Sequence, residues 1–480
     1  MKVPEPKNIR PYDQRQNLLF PPNLHDFIKD NDLCQVINDV VDSLDLSCLY
    51  RNVSGEGRKP YHPKMMLKVL FYAYANRTFS SRAIAKALGE NVAFIYLAGW
   101  QRPDFRTINS FRKNNAAALR ALFVQIVVLC RELNMVKLGH ISIDGSKFKA
   151  NAADGNSYDQ QRIEKQIRNI LDQADQIDRD EDELYGPDKT GDEIPDEIAD
   201  SKKRIEKLKE IQRRLKNQGR KKVNATDPDA AFMKTRSGIK TCYNAQACVD
   251  EDSQVIVAAG VTDQPNDDQQ LIPMIDKAEA NTGGEPGIVT ADSGYGNASN
   301  LKKLESYELD AYIPDDTYQS RRRGKPVSAF DKDNFVYDPQ KDVFICPEGC
   351  VLTFWYCKGD YRIYRYAQCK QCVRFGQCTK SNRGRSIWRR DVDDRIKAMR
   401  AKLDSEAGKA IYAKRKHIVE PVFGQIKASM GFTGFLLRGL AKVNLEFTIV
   451  AIAHNLRKIT RYCYQKDVGI MPKQPVAVSG

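Results

Sequence analysis

No apolar run in this sequence is long enough to cross a membrane. The longest, Ala121 to Cys130, is interrupted by Gln125 and falls far short of the roughly 20 residues a span requires. The opening residues, MKVPEPKNIRPYDQ, lack the apolar core of a signal peptide, so a cytosolic protein with no membrane partner is expected. No internal repeat is evident, and neither a P-loop for ATP nor the HExxH helix of a zinc protease is present. Gly294-Tyr295-Gly296 begins like a dinucleotide fingerprint, but Ser299 stands where a third glycine is needed. With 480 residues, 41% hydrophobic and 29% charged, the chain can bury a core, which excludes wholesale disorder. Its length predicts about two to four compact units.

What is abundant is positive charge: 76 Lys and Arg against 62 Asp and Glu, a net of +14. That sign suits a polyanionic partner such as nucleic acid. Cysteine is unevenly spread, with six of the twelve (Cys346, Cys350, Cys357, Cys369, Cys372, Cys378) inside 33 residues. In a reducing cytosol such a cluster points to metal before disulfides.

The N-terminal arm carries Pro4, Pro6, Pro11, Pro21 and Pro22 and reads as extended. From His62 the spacing predicts helices: HPKMMLKVLFYAYANR, a second capped at Ser80 or Ser81 and closed by Gly89, and a third from Asp104 or Thr107 through Leu129. These fit a helix-turn-helix or any small helical bundle. At His140 the texture changes to strand, with Asp144 in ISIDGSKFKANA. A charged interlude follows, thirteen acids and two bases over 172–200, then eleven bases and two acids over 201–222. Ile163, Ile167, Ile170, Leu171 and Ile177, against Ile205, Leu208, Ile211 and Leu215, predict a helical hairpin closed by the Pro187–Pro195 loop; a solvated linker is the other reading. Strands resume at TCYNAQACVD, SQVIVAAGVT, GIVTAD and DAYIPD, and amphipathic helices at 408–427 and 444–462. Together these predict a mixed α/β sheet flanked by helices and interrupted twice.

Three acids stand out by context: Asp144 and Asp292 at strand ends, and Glu420 on a helix in KRKHIVEPVFGQIK. Hard carboxylate oxygens of this kind suit divalent cations that cleave phosphodiesters. Asn266, Asp267 and Asp268 lie in a polar turn, either as a further carboxylate or, more simply, as a helix cap. The ordered series YHPKMMLKVLFYAYANRTFSSRAIAKAL, PDFRTINSFRK, HISIDGSKFKANA, NATDPDAAFMK, YNAQACVD, VTADSGYGN, IVEPVFGQIK and LLRGLAKVNLEF closely resembles bacterial insertion-sequence transposases of the DDE type.

The resemblance implies a ribonuclease H-like catalytic domain in which Asp144, Asp292 and Glu420 hold two Mg²⁺ (or Mn²⁺) ions, and the Asp-x-Gly-Tyr motif is met by Asp292, Gly294 and Tyr295. Relatives space Tyr, Arg, Glu and Lys around the glutamate; Tyr412, Arg415, Glu420 and Lys427 match, except that the Arg–Glu gap is one residue longer. Arg415 or Lys416 therefore takes the phosphate role. On a continuous α-helix, Lys416, Glu420 and Lys427 share a face. Cys369-x2-Cys372 with Cys346 and Cys378 matches a structural Zn²⁺ site, Cys350 and Cys357 being extra; reduced free thiols are the alternative. Expected DNA contacts are Arg82, Arg106, Asn109, Arg112 and Lys113, the loop Arg321, Arg322, Arg323 and Lys325, and Arg383, Arg385, Arg389 and Arg390. Trp100 and Trp355 either stack on bases or sit at a core or hinge.

The implied organisation is an arm with first helices (1–55), a helical DNA-binding domain (56–135), and a catalytic domain in three pieces (136–154, 223–316 and 395–465). A helical-hairpin insertion (155–222), a cysteine-rich zinc insertion (317–394) and a flexible tail (466–480) complete it. The implied activity is cleavage at the element's terminal inverted repeats and joining of the 3′-hydroxyl ends to target DNA, by a homodimer in the bacterial cytoplasm at the nucleoid. A domesticated DNA-binding protein, or a nuclease without strand transfer, is the other reading.

Overall fold

The structure, a computed structural model, describes residues 23–30, 32–51, 60–185, 196–307, 309–324 and 328–468. The prolines of the N-terminal arm, the whole Pro187–Pro195 loop, Lys325 and the tail after Val468 lie outside these. The chain divides into two compact units, Met1–Asn115 with Ile459–Gly480, and Ala116–Lys458. Among the described residues no single helix is long and apolar enough to cross a membrane.

The first unit is a helical bundle of α1 (Leu33–Ser43), α2 (Ser47–Tyr50), α3 (Pro63–Ala75), α4 (Ser81–Glu90), α5 (Val92–Ala98) and α6 (Phe105–Asn114). At its centre α3 is buried nearly all round, from Met65 to Ala75 with Lys68 excepted, as expected of a helix without a polar face. Asp32, Asn91 and Asp104 start α1, α5 and α6 by accepting backbone N–H groups. Ser80 precedes α4 without making a capping bond, and that helix continues through Gly89 to Glu90. The third helix expected from the spacing is two helices, parted at Asn115, and the later one, α7 (Ala116–Glu132), groups with the second unit.

The second unit is built on β1 (His140–Lys149), β2 (Ser157–Tyr158), α8 (Gln160–Tyr185), α9 (Asp196–Gln218), β3 (Val223–Asn224), β4 (Ala231–Thr235), β5 (Gly238–Asp250) and β6 (Ile256–Thr262). Next come α10 (Leu271–Thr282), β7 (Ile288–Ala291), α11 (Ala298–Lys303), β8 (Asp310–Tyr312) and α12 (Asp316–Arg322). The main sheet runs β8-β7-β1-β5, with β6 and β4 both along the outer edge of β5. β1 is antiparallel to β5 and parallel to β7, and β7 is parallel to β8; α11 lies in the β7–β8 connection, as parallel pairing requires a crossover.

The charged interlude is a true hairpin. Ile163 and Ile170 of α8 are buried with Leu208, Ile211 and Leu215 of α9, and Ile167 and Ile205 pack against them. The β2–β3 ladder ties its base. Leu171 is exposed rather than inward-facing, and the Ile177 side chain lies outside the description.

The second insertion carries β9 (Val336–Asp338), β10 (Val343–Ile345), β11 (Val351–Lys358), β12 (Tyr361–Arg365) and β13 (Ser386–Arg389), an antiparallel sheet in the order β13-β12-β11-β10-β9. It has a core of its own in Phe335, Phe344, Leu352, Tyr364 and Ile387, so a metal is not its sole source of cohesion.

The helix expected over 408–427 is broken. α13 (Asp393–Asp404) and α14 (Glu406–Ile418) are followed by α15 (Glu420–Gly424), a π-turn over Gln425–Ser429, and α16 (Leu440–Lys466). Pro421 causes the break, having no N–H to donate and clashing with the carbonyl four residues back. The broken segment is pinned to β1 by rings. Phe148 is fully buried against Phe423, Phe432, Phe435 and Phe447, with centroids 5.7–6.3 Å away.

Candidate active site

Asp144 lies in β1, and Asp292 follows the last residue of β7. The parallel register pairs Ile143 with Ala291, so the two acids come next on adjacent strands, which lie about 4.8 Å apart. Asp144 accepts the Gly145 N–H at 2.9 Å, and Asp292 the Gly294 N–H at 2.8 Å. Their neighbouring glycines are spatially required. A Cβ on Gly145 would stand 2.4 Å from Gln246 Nε2 and 2.5 Å from Asp267 Oδ1, and one on Gly296 would strike the Pro314 carbonyl oxygen.

Glu420 reaches the pair through Arg415. Arg415 Nη2 donates to Glu420 Oε1 at 2.9 Å, and Nη1 stands 3.8 Å from Asp144 Oδ2. The Arg415 side chain is largely buried, and its Nε and Nη1 have no hydrogen-bond acceptor. Burial of a charge-bearing donor without an acceptor is costly, so an anion arriving there is favoured. Tyr412 is buried one turn earlier, its hydroxyl accepting from Gln319 Nε2 at 2.8 Å. Lys416 is exposed on the following residue. The kink at Pro421 therefore absorbs the extra residue of the Arg–Glu gap, and Arg415, not Lys416, meets the acids.

Lys427 is placed differently from expectation. It sits in the π-turn, donates to Ser146 Oγ at 2.7 Å and the Lys147 carbonyl at 2.9 Å, and lies over the Phe148 ring. The single helical face expected to carry Lys416, Glu420 and Lys427 does not form, because the helix breaks at Val419.

A fourth acid joins the site. Asp267 Oδ1 accepts from Asn244 Nδ2 at 2.7 Å and Gln246 Nε2 at 2.6 Å, while Gln246 Oε1 accepts from the buried Tyr295 hydroxyl. Asp267 thus caps no helix; α10 begins after Gln270. The legible signal was the Asn244–Gln246 spacing in YNAQACVD, since residues two apart on a strand share a face.

Burial, and then the neighbouring Asp292, pushes Asp144 up to about 7, against the pull of Arg415. Asp292 is also raised, chiefly by burial. Two adjacent carboxylates with raised affinity for positive charge are a donor set that fits a hard divalent cation. Among the described residues no group of three or more His, Cys, Asp or Glu side chains is drawn together as a ready metal cage; Glu420 is half-exposed and paired with Arg415.

Of the residues expected to touch DNA, Arg112 is a core residue. It is 4% exposed and donates to the Tyr74 hydroxyl at 2.7 Å and to Asn109 Oδ1 at 2.9 Å. Its guanidinium is held inside the helical unit, Asn109 being one of its partners. Arg82, Arg106 and Lys113 are exposed, the two arginines lying over the Phe105 ring. Arg385 and Arg389 are turned inward, to the Phe330 carbonyl and to Asp394.

None of the twelve cysteines forms a disulfide. Cys346, Cys350, Cys369, Cys372 and Cys378 line one cavity of about 30 Å³, whereas Cys357 is exposed on β11. Backbone N–H groups of Cys350 and Arg385 point at the sulfurs of Cys346 and Cys369, each at 3.3 Å.

Residues 345–460 match the family described as Transposase DDE domain, and residues 22–114 match the family described as Transposase domain (DUF772). No curated protein matches the chain significantly. The first match spans the cavity cysteines together with Tyr412, Arg415 and Glu420; the second spans the helices of the first unit. The DDE-domain match thus takes in most of the cysteine-rich insertion and the helices that carry Glu420, and it ends short of the mixed sheet. Both matched segments are those of insertion-sequence transposases.

Proposed function

We propose that this transposase cleaves DNA at the terminal inverted repeats of its element and joins the freed 3′-hydroxyls to target DNA, with Asp144, Asp292 and Glu420 as the catalytic acids. The observation that carries this reading is the reach of one guanidinium to both Asp144 and Glu420, beside a strand register that sets Asp292 next to Asp144. The three acids would hold two Mg²⁺ or Mn²⁺ ions, which when bound activate the attacking oxygen and neutralise the leaving one. Arg415 uses its unsatisfied Nε and Nη1 to grip the phosphate, with Tyr412 packed against it. Lys427 braces β1 behind Asp144. The sheet order, an antiparallel pair beside three parallel strands, supports a ribonuclease H-like core.

In the same reading, the helices of the first unit bind the inverted repeats through exposed cations such as Arg106 and Lys113. Cys346, Cys369, Cys372 and Cys378 bind a structural Zn²⁺, the backbone N–H groups directed at two of the sulfurs favouring thiolates. The protein works as a homodimer on paired ends, which suits inverted DNA sites, in the bacterial cytoplasm.

The test is cleavage and joining of duplexes bearing the element's ends. Asp144→Asn, Asp292→Asn and Glu420→Gln should each abolish both steps while end binding persists. Full activity in any one would remove that acid from the site, and cleavage without joined products would leave a nuclease.

A further inference from the structure

On the sheet side opposite its core, the cysteine-rich insertion carries exposed aromatic rings around a buried Ile363. Tyr364 of β12 pairs with Phe354 and Ile387 and turns to the insertion's core, so Ile363, one residue earlier, faces the opposite side with its cross-strand partners Tyr356 and Trp388. Trp388 is 39% exposed, Tyr356 39% and Trp355 50%. Trp355 occupies a bulge, the register shifting between Phe354 and Tyr356, and bulges re-aim a side chain. The rings are interleaved with cations: Lys358 Nζ lies 5.6 Å from the Trp388 centroid, and Arg365 Cζ lies 4.8 Å from that of Trp355. Among the described residues neither Lys358 nor Arg365 has an acidic partner. Residues 351–390 hold ten Lys and Arg against one acid, Asp360; of the ten, Arg362, Arg374, Arg389 and Arg390 pair with acids outside that stretch.

We propose that this face binds the unpaired bases of a DNA strand, Trp355 and Trp388 stacking on bases while Lys358 and Arg365 meet the backbone phosphates. The proposal rests on the reading of the chain as a DNA-processing enzyme, and the charge decides the occupant. Two cations without acidic partners beside the rings disfavour a second copy of the same face, and a wholly paired duplex would offer phosphates to them but no ring face to the tryptophans. Open sheet faces with aromatic side chains bind single strands in this way.

The chain has three tryptophans, and the exposed Trp100 is replaceable. In a Trp100→Phe full-length protein, the remaining tryptophan fluorescence comes from this face alone. A thymidine 20-mer should quench it saturably, and a blunt duplex of equal length should quench it much less. Trp355→Ala and Trp388→Ala should each weaken binding of a labelled 20-mer about tenfold, the scale of one lost stacked base, with Trp355→Phe restoring most of it. Binding without quenching, and unchanged in both alanine variants, would overturn the proposal while leaving the DNA reading intact. No binding of either DNA would overturn both. Quenching that grows with protein concentration in the absence of DNA would assign the face to self-association instead.

Discussion

Arg415 donates to Glu420 at 2.9 Å although the two stand five positions apart. Positions five apart on a straight α-helix diverge, each residue turning about 100°; the break before Pro421 brings these two together. The same guanidinium faces Asp144, so the kink is what allows one cation to serve both acids.

Arg415 and Lys416 are separable by mutation. Arg415→Ala should lower strand cleavage by about 10²–10³, the usual cost of a lost charge-stabilising donor. Lys416→Ala should leave the cleavage rate within about twofold, since an exposed charge contributes little. Single-turnover cleavage of an end-bearing duplex distinguishes them, and equal losses would refute the assignment.

Asp267 is held by two amides with its second oxygen toward Gly294 and Asp292. Asp267→Asn should weaken Mn²⁺ binding by about 10–100-fold, as seen when residues supporting a metal site are removed. Titration followed by electron paramagnetic resonance measures this without requiring turnover. Unchanged affinity would make Asp267 a scaffold residue only.

Phe148 joins β1 to the segment bearing Glu420. Phe148→Ala should cost about 3–5 kcal/mol by leaving a cavity among four rings. A urea titration should show a lower midpoint with an unchanged slope.

His454 on α16 is buried, with Nε2 donating to the Gln254 carbonyl at 3.0 Å. Burial, reinforced by Lys458 and Arg457, pushes its pKa down from 6.5 to about 3. The unfolded chain therefore takes up a proton over this interval and the folded chain does not, so stability is fully present above pH 6.5 and is lost as pH falls toward 3. His454→Gln, which cannot titrate, should flatten that acid limb in thermal melts from pH 7 to 4. An unchanged limb would place the acid sensitivity elsewhere.

Zinc is testable by content. The purified protein should carry a single zinc, lost in Cys369→Ser and Cys372→Ser and kept in Cys357→Ser, with chelation lowering the melting temperature. A Cys350→Ser protein that lost the metal would move Cys350 into the ligand set.

Much of the fold was legible because its signals are local. The strand carrying Asp144, the alternating hairpin residues Ile163, Ile170, Leu208 and Leu215, and the cysteine spacing all follow from short-range periodicity and composition. Leu171 is exposed and Arg112 buried, against expectation, for one reason: pattern says which residues can be inside, not which neighbour awaits them. Arg112 is buried because Tyr74 and Asn109 satisfy it.

By itself the sequence determined the class of protein, the mixed α/β architecture and the cysteine cluster, since each is written in residue types at short spacing. The tertiary structure alone decided that Arg415 rather than Lys416 stands between the acids, that Lys427 braces β1, that Asp267 joins the site, and that Trp355 and Trp388 share an open face. Those facts depend on a proline break, a strand register and a bulge. Each of these rotates a side chain relative to partners that are distant along the chain, and no local pattern records such a rotation.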